Sequence, residues 1–382
     1  WQPCADPKSG DYDVLYLGMK RTMTMIQQWG HVFRRETSSM SFSICDNTAG
    51  YCTCRVCFKK SKTEGYSGVY VDLTNMAARD IAEIYPGMKV MTIIYDHTIP
   101  QTVRPEENVV IFFCGQGCNN HYLGHPEDCG DNEPVLGKLS NAYTEKALKE
   151  WTQMCHSVGA EIWFWYYPVT YRITVAPCPN VLNVYYDVTF VINECGVDGF
   201  YYEGGGEEYA FEPLKAYLAV RIMNNPQMTY DEFVAEAKDY LYMYYGDGYE
   251  LVWEYVLMQT EAGNTDNCYL NNYSLADDMY DFEYLTENYR TMRELLLKAM
   301  TMTDDADHIY RLNTLLCTCD FIGLSAVHDS WYLNGTEETR AEYREYMEWM
   351  MGFVKENDMD FGAPSFVVPE TIDYSRNLLE QI

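Results

Sequence analysis

The chain has 382 residues, 47% of them apolar and 22% charged, a profile that fits a protein with a packed core and excludes extensive disorder. Lysine and arginine total 27 against 57 acidic residues, a formal net charge of -30. Such a field repels phosphate backbones and anionic lipid surfaces, so nucleic-acid binding is not expected, and no apolar run approaches the roughly 18 residues that a membrane span needs.

The length exceeds one typical domain, so one large or two domains are expected. The first residue is Trp1 rather than Met and no signal peptide is visible, which predicts a missing or processed start and leaves a secreted, surface or cytoplasmic location open. The 35 tyrosines and 8 tryptophans suit either an aromatic-rich core or stacking on sugar rings.

In chain order, strand-like runs fall at Val14–Gly18, Ser41–Asp46, Val90–Asp96, Val109–Gly115, Glu161–Pro168, Val181–Asp187 and Gly199–Gly205. They are short, β-branched and aromatic, and nearly continuous in apolar character, as expected of strands buried on both faces of a parallel sheet. Helical spacing appears between them, with Leu73, Met76, Ala77 and Ile81 on one segment and Leu148, Trp151 and Cys155 on another. Strand–helix alternation predicts an α/β fold, a (β/α) TIM-type barrel. Seven strands fall short of eight, so the barrel is expected to be truncated or divergent in its N-terminal half.

After about residue 207 the periodicity becomes helical. Phe211–Asn224 is amphipathic, and Thr229 with Glu232 forms a capping box for a helix that stops at Gly246. Further helices are expected near 248–262, 278–301, 305–325 and 336–356. The expected domains are therefore a barrel over 1–206 and an α-helical domain over 207–382.

Strand C-terminal ends carry the chemistry of such barrels. Glu203 follows GFYY beside permissive glycines and is the leading candidate acid; its alternative is a solvated loop glutamate. Asp46 ends SFSICD and Asp96 ends VMTIIYD, each a candidate base, nucleophile or hydroxyl ligand, with an Asx turn as the plain alternative for Asp46. Tyr95, His97, Trp165, Tyr167 and Tyr202 are candidate ligand-binding residues, although His97 fits a core position equally well. Glu207 and Glu208 are more simply placed at a helix N-terminus, where acidic residues are favoured. Cys52, Cys54 and Cys57 form CxCxxC, and Cys114, Cys118 and Cys129 follow. Cys52, Cys54, Cys57 and Cys118 are candidates for a structural zinc site, with disulfides between the two loops or free thiols as the competing readings. No cofactor is expected for catalysis itself.

SICDNTAGYCTCRVC (Ser43–Cys57), TIIYDHT (Thr92–Thr98), NAYTEKALKEW, WFWYYP, PCPN, ECGVDGFYYEGG, LKAYLAVRIMNNP and the YYGDG segment occur in an order that resembles a bacterial family known as domain of unknown function DUF4838. The resemblance covers roughly residues 13–262 and implies a TIM barrel of the glycoside hydrolase type, near the α-glucuronidases. It implies a carbohydrate substrate and carboxylate acid/base chemistry on glycans or uronic-acid sugars. The family typically has Asn-Asp where this chain has Cys45–Asp46, an Asp at the place of Tyr166, and a Glu at the place of Tyr202. A carboxylate displaced by one position along a strand faces the other way, so a carbohydrate-binding barrel without catalysis is the alternative, and an interaction protein a third. The sequence leaves the oligomeric state open.

Overall fold

A computed structural model describes residues 3–33, 38–43, 51–115, 117–118, 120–124, 140–171, 178–204, 211–266, 270–274 and 276–357. Five strands form one sheet in the order β1 (Ser39–Ser41), β2 (Lys89–Ile94), β3 (Val109–Gly115), β4 (Glu161–Tyr166) and β5 (Gly199–Tyr202). The pairs β1–β2, β2–β3 and β3–β4 run parallel. Helices α1 (Asp11–Phe33), α2 (Arg55–Ile84), α3 (Asn141–Val158) and α4 (Asn183–Asn193) precede β1, β2, β4 and β5, while β2 leads to β3 without an intervening helix among the described residues. Spatial order that follows chain order is the arrangement of consecutive strands in a (β/α) barrel, here over five strands among the described residues.

The chain divides into two compact units, one made of Trp1–Gly115, Tyr143–Tyr166 and Val191–Tyr201, the other of Gln116–Ala142, Tyr167–Phe190 and Tyr202–Ile382. The first carries the sheet, and its two faces follow from the register. Thr92, Ile111 and Ile162 align on one face and Ile94, Phe113 and Phe164 beside them, all buried. Ile93, Phe112 and Trp163 align on the opposite face, where burial is less complete. Helix α2 bends at Gly65, whose φ of 64° and ψ of 172° no L-residue adopts comfortably.

The second unit is helical beyond β5, with α5 (Glu212–Asn224), α6 (Tyr230–Tyr245), α7 (Tyr249–Ala262), α8 (Phe282–Met300), α9 (Ala306–Val327) and α10 (Glu337–Glu356). The Thr229 hydroxyl accepts the Glu232 N–H while the Glu232 carboxylate accepts the Thr229 N–H, the expected capping box. Helix α8 buries Leu285, Tyr289, Met292 and Leu296, a stripe at helical spacing, and packs on α7 and α9. Among the described residues, no helix is long and apolar enough to cross a membrane.

Three expected strands differ. Val14–Gly18 lies inside α1: Asp11 and Asp13 occupy the first turn, where acidic groups favour a helix, and the apolar run faces outward with Val14 and Leu17 exposed. Val181–Asp187 runs into α4, because Val184, Val188 and Val191 bury one helical face. The strand expected over Ser41–Asp46 lies at Ser39–Ser41 instead, and Cys45 and Asp46 are outside the described residues.

Candidate functional site

Glu203 directly follows β5 and is half-buried. Its carboxylate accepts a hydrogen bond from the Tyr171 hydroxyl, and Asn272 hydrogen-bonds the same tyrosine side chain. Burial, and then the negative charge of Glu203, push the Tyr171 hydroxyl well above the ordinary tyrosine range, so it stays protonated and donating. One backbone bond and one side-chain bond hold this geometry: the Tyr171 N–H donates to the Asn272 carbonyl at 2.7 Å, and the Thr170 hydroxyl donates to the Ser274 carbonyl at 2.9 Å. Tyr273 stands edge-on to Tyr171 with ring centroids 5.6 Å apart and is exposed. A carboxylate, a donating hydroxyl, an amide and an open aromatic face are the groups that hold a polyhydroxylated ligand.

Beside it in the same unit, Tyr202 donates to Glu212 Oε2 at 3.5 Å. Glu212 in turn pairs with Lys215, whose side chain is 0% exposed. Lys215 Nζ also donates to the Pro168 carbonyl at 2.6 Å and to Asn180 Oδ1 at 3.1 Å. Burial, then Glu212, push the Tyr202 hydroxyl well up, so Tyr202 is held as a donor within this network. Tyr167 is buried.

In the sheet-bearing unit, Phe112, Trp163, Trp165 and Tyr201 cluster on one face of the sheet. Trp165 and Tyr201 meet edge-on at 4.8 Å, and Phe112 lies 5.3 Å from Trp163. Tyr201 is 47% exposed, so an aromatic surface remains open there. Tyr95 is half-buried. Asp96, also half-buried, spends its carboxylate on the backbone: Oδ2 accepts the Tyr66 N–H at 2.5 Å and Oδ1 the Thr98 N–H at 3.0 Å. It thereby caps the second half of α2 at the Gly65 bend, where an added Cβ would stand 2.9 Å from Asp96 Oδ2.

His97 is a core residue, 3% exposed, stacked on Phe113 with centroids 4.1 Å apart. Its Nε2 lies 2.8 Å from the Cys114 carbonyl, and burial lowers its pKa to about 4, so the ring is neutral with the proton on Nε2. The Trp151 indole donates to the His97 carbonyl at 3.1 Å and fixes the strand end.

Thus Asp96, Tyr95, His97 and Trp165 belong to one unit, and Glu203, Tyr202 and Tyr167 to the other. Asp46, Glu207 and Glu208 lie outside the described residues, as does Cys129. Cys52, Cys54 and Cys57 do come together, and the fourth thiol beside them is Cys4, not Cys118. Cys118 belongs to the other unit, is buried, and exchanges hydrogen bonds with the Asn141 side chain through its backbone. Tyr171, Asn272 and Tyr273 were not evident from the sequence; the polar–aromatic run Asn271–Asn272–Tyr273 was the available signal. Cys4, about fifty residues before CxCxxC, carried no local signal.

Among solved structures, a Thermobaculum terrenum O-GlcNAc hydrolase mutant is similar at 12% identity and a TM-score of 0.41, covering 96% of this chain and 75% of that one. Among curated proteins, none matches. The family model described as domain of unknown function (DUF4838) matches residues 19–256. That is well over half of the chain, and the protein belongs to the DUF4838 family.

Proposed function

We propose that this protein is a glycoside hydrolase acting on glycans or uronic-acid-containing sugars, with Glu203 as its acid/base residue on a TIM-type barrel scaffold. The observation that carries this reading is the group around Glu203: a half-buried carboxylate at a strand end, bonded to a protonated Tyr171, beside Asn272 and the exposed ring of Tyr273. A carboxyl group so placed protonates a glycosidic oxygen, while the tyrosine and amide orient ligand hydroxyls. Glycoside hydrolysis also requires a second carboxylate. Asp96 is a poor choice because two backbone N–H donors already occupy it. Asp46, at the family's Asp position, is the first to test. The chemistry needs no cofactor.

A second reading keeps the carbohydrate and omits the hydrolysis. It is favoured by the exposed ring of Tyr201, backed by Trp165, Trp163 and the buried Phe112, which suits stacking on a sugar ring. A panel of aryl glycosides and aryl glucuronides, run beside a glycan array, separates the two. Glu203→Gln is expected to lower turnover by about 10²–10⁴-fold with the fold intact. Unchanged turnover in that variant removes Glu203 from the mechanism. Glycan binding by a protein that hydrolyses nothing, with binding lost in Trp165→Ala, establishes the second reading instead.

A further inference from the structure

CxCxxC supplies three sulfurs within six residues, and the chain brings a fourth from fifty residues upstream. The Sγ atoms of Cys4, Cys52, Cys54 and Cys57 all lie within 4.8 Å of one another. Cys4 Sγ is 3.5 Å from Cys54 Sγ and 3.9 Å from Cys57 Sγ. A tetrahedron of sulfurs about 2.3 Å from a central zinc has S···S edges of about 3.8 Å, which these two distances bracket. A disulfide would need two sulfurs at about 2.0 Å.

The surrounding backbone is arranged for thiolates. The Asp6 N–H points at Cys4 Sγ at 3.4 Å, and the Cys57 N–H at Cys54 Sγ at 3.4 Å. Val56 donates to Cys54 as well, Ala5 to Cys57, and Cys54 to Cys52. Every sulfur therefore has at least one backbone donor. Such donors disperse the excess negative charge of four thiolates around a divalent ion and orient the ligands. Cys54 also N-caps α2, so ligand placement and helix initiation share one residue.

We propose that Cys4, Cys52, Cys54 and Cys57 bind one Zn²⁺ as a closed tetrathiolate site that fastens the segment before α1 to the start of α2. Four protein sulfurs leave no open coordination position, so the role is structural. The fold gives it a clear task. Helix α1 is 23 residues long, yet Val14, Leu15, Leu17 and Met25 are exposed, and Met19 and Met23 are its buried apolar residues among those described. Its other anchors are the Tyr12 hydroxyl on Asp80 and the Tyr12 ring against Phe42. A zinc knot immediately ahead of it holds the N-terminal segment in place.

The test is elemental analysis of the full chain, purified under reducing conditions without chelator. About one zinc per chain is expected. Cys4→Ser and Cys54→Ser are expected to lower it at least tenfold, while Cys118→Ser retains it. X-ray absorption at the zinc edge of the unaltered protein gives an answer independent of variant folding: four sulfurs in the first shell are expected. Metal-free protein with four alkylatable thiols, two disulfides among the four cysteines, bound iron in place of zinc, or nitrogen and oxygen neighbours in the absorption spectrum would each overturn the proposal.

Discussion

Lys215 is the most exacting internal test of the helical unit. Its ammonium has no exposure and three partners: Glu212, the Pro168 carbonyl at 2.6 Å and Asn180 Oδ1 at 3.1 Å. Lys215→Met keeps the volume and the linear shape but strands the Glu212 carboxylate, which is 7% exposed and retains only the long Tyr202 hydrogen bond. Breaking one partner of a buried pair costs about 3–5 kcal/mol. For a unit of this size each kcal/mol moves the midpoint by about 2–4 °C, so a drop of roughly 6–20 °C is expected. Removing both charges, as Lys215→Met with Glu212→Leu, eliminates the stranded carboxylate and leaves the Pro168 carbonyl and the Asn180 oxygen without their donor. Both acceptors lose the lysine in the single variant as well, so the two variants differ by the stranded carboxylate, and the double variant is expected to be more stable than the single one. Calorimetry is the suitable assay, because a two-unit chain need not melt in a single transition. A double variant no more stable than Lys215→Met would show that the ion pair is not what the lysine provides. A single variant within about 1 kcal/mol of the parent would refute the burial argument altogether.

Two further outcomes follow from individual residues. Gly65→Ala places a side chain at φ 64° with its Cβ 2.6 Å from Thr98 Cβ; strain and overpacking together should cost roughly 2–6 kcal/mol, read as a lower melting point of the sheet-bearing unit. At Asp320, burial outweighs the Arg293 ion pair and raises the carboxyl from 3.8 to about 6. The folded state then holds a proton the unfolded state has released, so stability measured against Asp320→Asn should fall as the pH rises from about 4 to about 6, by about 3 kcal/mol at most. A flat difference across that range in denaturant titrations would contradict the assignment.

What the sequence made legible depended on whether a signal was local. The Thr229–Glu232 box and the stop at Gly246 bound α6 as read, because caps are set within one turn of chain. VVIFFCG became β3 over its full length, its β-branched and aromatic residues buried on both faces of the sheet. Val14–Gly18 and Val181–Asp187 failed because runs of five to seven residues are too short to show a period, and only the extension to Val188 and Val191 reveals the helix of the second. The thiol cluster was legible in three of its four members, the remaining one, Cys4, lying on the other side of α1 in sequence. Glu203 could be named from its strand end, but Asn272 is about seventy residues further along, and nothing local marks it as a neighbour of Tyr171.

Asp96 and Glu203 sharpen what a strand-end carboxylate means. Both follow a strand of one sheet, and position alone makes them equivalent. Their hydrogen-bond donors separate them. Asp96 is met by the amides of Tyr66 and Thr98, which sit on fixed backbone and would be left unsatisfied if the carboxylate turned to a ligand. Glu203 is met by the hydroxyl of Tyr171, a donor that rotates and can be exchanged for a ligand hydroxyl without stranding the main chain. A carboxylate held by two backbone amides is committed to the fold. On that criterion Asp96 secures the bend of α2 at Gly65, and the proposed acid/base role is assigned to Glu203 instead.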